Sequence, residues 1–216
     1  MTPDLLLRTV PSRAFHVYSA LPARLAAALL PGVVARTDGP ALHLTFDDGP
    51  HPEGTPALLD ALAGAGQTAT FFLLANAARR HPSLVKRIVA GGHAIGAHGT
   101  AHTDFWRHPA RAVPEMQAAC ERLEATTGEA VRYLRPPYGH LTPALWRWTR
   151  QTGRTVALWD VMPGDFLAHA TPALIARAVA RRARPGSLVV LHDNAPAAPG
   201  AVRLLLAHSI PSRRLP

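Results

Sequence analysis

The chain has 216 residues, enough for one well-buried domain and too few for two comfortable ones. Hydrophobic residues make up 48% and charged residues 17%, a globular composition that excludes wholesale disorder. Lys and Arg number 23 against 14 Asp and Glu, a formal charge of +9, but the longest basic runs are pairs such as Arg79-Arg80. Scattered arginines of this kind argue for a solvated surface and against nucleic acid as a partner.

In chain order, the first apolar stretch is 25–34. Pro31-Gly32 interrupts it, it begins well inside the chain, and Pro3 and Asp4 stand where a leader has its short basic start, so it is expected to be a short amphipathic packing helix rather than a secretory leader. No run is long and apolar enough to span a bilayer, and a cytoplasmic chain is favoured over a secreted one. Residues 1–40 read as an N-terminal extension with a short helix, packed on a main domain over 41–216. Strands are expected at 41–46, 68–74, 93–97, 131–134, 155–159 and 187–191. Helices are expected between them at 55–65, 75–90, 109–126, 142–152 and 172–182, with Thr142 and Thr171 as N-caps before Pro143 and Pro172. Residues 195–200 read as a surface loop followed by a short tail. Cys120, the single cysteine, rules out an intrachain disulfide and is expected to be a buried helix residue. Strands joined by helices pair in parallel, so the fold class is α/β, an open doubly wound sheet or a barrel.

Polar residues fall at the ends of these strands. Asp47-Asp48 follows the first, His98 the third, Arg135 the fourth, Asp160 the fifth and His192-Asp193 the sixth. Parallel strands present their C-terminal ends to one side, where active sites assemble. The convergence predicts one polar cleft.

Metal-ligand chemistry lies within that set. His98 and His102 are four residues apart, a spacing that on a helical turn puts both imidazoles on one face. A carboxylate would complete a His₂-Asp site with open positions for water, as a hydrolytic metal requires. Of the adjacent Asp47 and Asp48, one can bind metal while the other takes a proton from that water. The absence of any Gly-x-Ser-x-Gly agrees with chemistry that uses no serine nucleophile.

Thr45-Phe46-Asp47-Asp48-Gly49-Pro50 resembles the opening motif of the polysaccharide deacetylases, carbohydrate esterase family 4. Ala69-Thr70-Phe71-Phe72, Gly92 to His98, Arg135-Pro136-Pro137-Tyr138-Gly139, Trp159-Asp160 through Asp165-Phe166, and Leu191-His192-Asp193 resemble its later motifs, in the family's order. The resemblance implies an irregular (β/α) barrel of about seven parallel strands in a single catalytic domain over 41–216. It implies hydrolysis of an N-acetyl amide on an amino sugar, with Asp48, His98 and His102 holding one divalent metal ion, zinc by default and cobalt or nickel as alternatives. Asp47 would be the general base, paired with Arg135, and His192 the general acid, oriented by Asp165. The backbone N–H of Tyr138 would help stabilise the oxyanion, Val190 would line the acetyl-methyl pocket, and Trp106 would stack on a sugar ring. Three positions depart from the pattern. Gly99 replaces a hydroxyl residue between the histidines, Met162 an Asp, and Phe166 a Trp; the latter two are expected to reshape the groove wall. The alternatives are a hydrolase of a non-sugar amide on the same site and a non-catalytic glycan-binding module.

Overall fold

A computed structural model describes residues 13–207 and 211–216, with side chains from residue 20 onward. Seven parallel strands curl into an irregular barrel: β1 (Val33–Val34), β2 (His43–Asp47), β3 (Thr70–Leu73), β4 (Ala94–Ala97), β5 (Tyr133–Leu134), β6 (Thr155–Ala157) and β7 (Leu188–His192). Their order across the sheet is β1-β6-β5-β4-β3-β2-β7. β2 and β3 are buried along their whole length, as expected of parallel strands covered on both faces. Between β2 and β7 the register pairs Phe46 with Leu191 and Asp47 with His192. Beyond β6 the chain swings across to β7, where Val161 bridges Val189 in parallel, closing the barrel.

The helices α2 (Gly54–Gly64), α3 (Ala75–Arg80), α4 (Pro82–Ala90), α5 (Ala112–Thr127), α6 (Pro143–Gln151) and α7 (Pro172–Arg182) cover the outside. The expected helix 75–90 is two helices meeting at His81, where Pro82 opens a new first turn. The expected helix 109–126 begins as a 3₁₀ turn, Pro109–Arg111. Thr142 and Thr171 cap as expected, accepting from the backbone N–H of Leu145 and Leu174. Phe46, Phe71, Leu58, Ile88, Met116 and Leu205 belong to one buried core between sheet and helices.

Two expectations need correction. Residues 195–200 are not simply a loop before a tail: α8 spans Ala198–Ala207 and packs on α2 and α7. Its Pro199 lies in the first turn, where a missing N–H costs nothing, and Ala198, Ala201, Val202 and Leu205 are buried. The stretch 25–34 is not one helix. Residues 25–29 instead end a longer α1 (Arg13–Leu29), and after Pro31-Gly32 the valines of β1 join the sheet beside β6. Of the expected extension, residues 1–12 lie outside the described part.

Candidate active site

The polar strand ends converge largely as expected. Asp47 ends β2, and Asp48 follows in a left-handed turn at φ 75°, a conformation that Asp tolerates better than most residues. Gly49 comes next because a Cβ there would sit 1.9 Å from Asp193 Oδ2. The other end of that contact is fixed, since the Thr55 hydroxyl donates to Asp193 Oδ2 at 2.5 Å. Asp160 does not join the cleft. It accepts from the Ser187 hydroxyl at 2.8 Å and faces Arg36, because the chain after β6 has already crossed to the start of β7.

His98 and His102 come together, but not on a helical turn. Both lie in the loop after β4, which Gly99 bends at φ +87°. Their Nε2 atoms stand 3.5 and 3.3 Å from Asp48 Oδ1. That oxygen is buried and lacks a hydrogen-bond partner. The three donor atoms lie within 4.8 Å of one another. A carboxylate oxygen left orphaned between two imidazole nitrogens has the composition and spacing that a divalent cation would satisfy. The His98 ring supports this. Its Nδ1 is 2.6 Å from the Arg135 carbonyl, which can only accept, so Nδ1 carries the proton and Nε2 offers a lone pair. Burial holds His98 well below the usual imidazole range, which keeps it neutral.

Arg135 is fully buried beneath the cluster. Its NH1 donates to Asp47 Oδ1 and to the Thr45 hydroxyl, both at 2.7 Å, and the rest of its fork is taken by the Ala157 and Leu158 carbonyls. On the far side of Asp47, His192 Nδ1 meets Asp165 Oδ1 at 3.0 Å, and Asp165 Oδ2 accepts from the His192 backbone N–H at 2.6 Å. Burial alone would lower the His192 imidazole. The Asp165 hydrogen bond and the charges of Asp165, Asp47 and Asp48 outweigh it and push the pKa up to about 9.

One cavity of about 1300 Å³ opens over these groups and includes Val190, Trp106 and the Tyr138 turn among its walls. Tyr138 stands at φ 59°, with its ring edge-on to His102 at 4.4 Å. Met162 and Phe166, two of the departures from the family pattern, both line it. Sequence reasoning missed three contributors. His140 stacks on Trp106 at 3.9 Å, within 1° of parallel, and is anchored by Asp104 Oδ1 at 2.7 Å. Asn194 donates to Asp48 Oδ2 at 3.4 Å. Leu21 and Ala26 of α1, with Leu30 just beyond it, form a wall. Position two residues after His192 was a usable signal for Asn194; the other two depend on contacts across long stretches of chain.

Residues 35–157 match the sequence profile of the family described as polysaccharide deacetylase. The chain belongs to the polysaccharide deacetylase family. It is 35% identical over 162 residues to the chitooligosaccharide deacetylase of Sinorhizobium fredii, covering 74% of this chain and 75% of that one. Its fold is similar to that of peptidoglycan deacetylase PdaC from Bacillus subtilis, at 27% identity and a TM-score of 0.74, over 82% of this chain and 88% of the other. A family 4 carbohydrate esterase from Streptomyces lividans, solved with acetate, gives a TM-score of 0.74 at 28% identity, over 82% of this chain and 93% of that one. The seven-stranded barrel is thus the deacetylase fold, and the family identifies the chain as an enzyme, a hydrolase. Among the described residues, no helix is long and apolar enough to cross a membrane.

Proposed function

We propose that this deacetylase removes the N-acetyl group from an N-acetylglucosamine residue of a chitooligosaccharide, peptidoglycan or related glycan. Asp48, His98 and His102 hold a divalent cation, zinc by default, with cobalt or nickel suited to the same ligands. The observation that carries the reading is that Asp47 and His192, direct neighbours across β2 and β7, flank one Asp-His-His cluster.

An amide is a weak electrophile and an amine a poor leaving group, so its hydrolysis needs an activated water and a proton delivered to nitrogen. The cation, when bound, supplies Lewis-acid polarisation of the carbonyl and a lower pKa for the attacking water. Asp47 Oδ1 is held by Arg135, which leaves Oδ2 to take the proton from that water. His192, protonated and oriented through Nδ1 by Asp165, gives its Nε2 proton to the departing amine. The Tyr138 backbone N–H donates to the developing oxyanion. Val190 bounds the acetyl methyl, and Trp106 offers a platform for a sugar face.

The test is acetate release from chitotetraose by chelator-treated protein, with and without added zinc or cobalt, for wild type and Asp47→Asn. Release that depends on the metal and falls roughly a thousandfold in the variant is the expected result. A wild type that binds zinc but releases no acetate from chitin or peptidoglycan fragments overturns the assignment.

A further inference from the structure

The cavity is chemically two-sided. Near the strand ends it presents Asp47, Asp48, His98 and His192. The rest of its lining is mostly apolar or aromatic and includes Leu21 and Ala26 of α1, the adjoining Leu30, Leu158, Met162 and, against His192, Phe166. None of the described α1 residues lining the cavity has a polar side chain. A sugar hydroxyl pressed against that wall would give up water and find no acceptor, which costs binding rather than supplying it. A hydrocarbon chain loses nothing there and gains by leaving water. At about 1300 Å³ the cavity also exceeds the roughly 300–1,000 Å³ of pockets for drug-sized ligands, so a chain fits beside a sugar.

The helix itself points the same way. Ala20, Ala23 and Ala27 pack α1 down onto Val33, Val156 and Trp159. Leu21, Leu25 and Leu29 recur every fourth residue on another face and are 46%, 51% and 75% exposed. Leu21 lines the active-site cavity whereas Leu25 and Leu29 do not, so the apolar surface passes from the cavity to the outside of α1. This wall lies before residue 35, where the family match begins.

We propose that the amino sugar hydrolysed at this site carries a hydrocarbon chain, and that the chain lies along the α1 wall with Leu21 at its point of exit. The inference rests on the deacetylase reading above.

The test compares kcat/KM for methyl and octyl 2-acetamido-2-deoxy-β-D-glucopyranoside, the octyl compound below its micelle threshold. The expected result is at least about a tenfold preference, carried by KM, for the octyl over the methyl glycoside. In Leu21→Asp, checked for an unchanged circular dichroism spectrum, the ratio of octyl to methyl is expected to collapse towards one. Equal kcat/KM for the two glycosides overturns the proposal and leaves the deacetylase reading intact. If no amide is hydrolysed, the deacetylase reading fails instead, and calorimetry with octyl and methyl β-glucoside decides the wall. A Leu21-dependent preference for octyl supports the wall, and no preference overturns it.

Discussion

The Thr100 hydroxyl, in the loop between His98 and His102, donates to Glu115 Oε2 on α5 at 3.0 Å. Thr103 donates to the same oxygen at 3.0 Å, just past His102, and Arg111 closes on Oε1 from the solvent side at 2.5 Å. One carboxylate thus ties down a loop whose second residue is the flexible Gly99. Removing it should let the imidazoles wander, and outer contacts of this kind typically tune metal affinity by about 10–100-fold. Glu115→Ala is expected to weaken zinc binding on that scale, while Glu115→Gln, which keeps an acceptor oxygen, retains most of it. Competition with a chromophoric chelator measures both; unchanged affinity in the alanine variant would show that the brace is irrelevant.

On the proposed mechanism His192 sets the alkaline side of the pH profile. Its imidazole is raised to about 9, so the protonated form persists through neutral pH and is lost as pH rises through that value. A bound cation offsets the charges of Asp47 and Asp48 and brings the limb down somewhat. Asp165→Asn removes the strongest raising influence, so the alkaline limb should move toward neutral pH and the rate at pH 8 should fall roughly a hundredfold. A limb that stays in place in this variant would mean another group supplies the proton.

Arg135 is the stability-critical residue of the site. Arg135→Met leaves Asp47 buried without its cation and orphans the Ala157 and Leu158 carbonyls. Breaking a buried pair from one side costs about 3–5 kcal/mol. For a domain of this size that corresponds to a melting temperature roughly 10 °C lower. Calorimetry on the chelated protein reads the effect independently of metal.

Trp106 is 64% exposed and stacked on His140, so truncating it disturbs little of the core. Trp106→Ala is expected to raise KM for chitotetraose about three- to tenfold with kcat nearly kept. An unchanged KM would remove the indole from the substrate's path.

What was legible in the sequence follows from geometry that the chain repeats locally. Parallel strands all end on one side, so Asp47, His98, Arg135 and His192 could be grouped without a structure, and six of the seven strands announced themselves as short apolar runs. β1 did not, because two valines carry no period. α8 did not, because Pro199-Gly200 reads as a turn until one sees the proline in the first helical turn. The Asp104–His140 pair spans 36 residues and leaves no local trace. Asp160 looked like a site residue because sequence position alone cannot tell that the chain has already crossed to the next strand.

The pairing of Asp47 with His192 also has a temporal side. The two residues are adjacent in the sheet yet 145 positions apart along the chain. During synthesis a ribosome delivers Asp47, Asp48, His98 and His102 well before β7 emerges to lie beside β2. A nascent chain can therefore hold most of the site while lacking His192. Contacts between segments this distant carry the largest loop-closure entropy, so this step belongs to the end of assembly. On the proposed mechanism the protein is born inert and becomes competent only once its last strand is laid in.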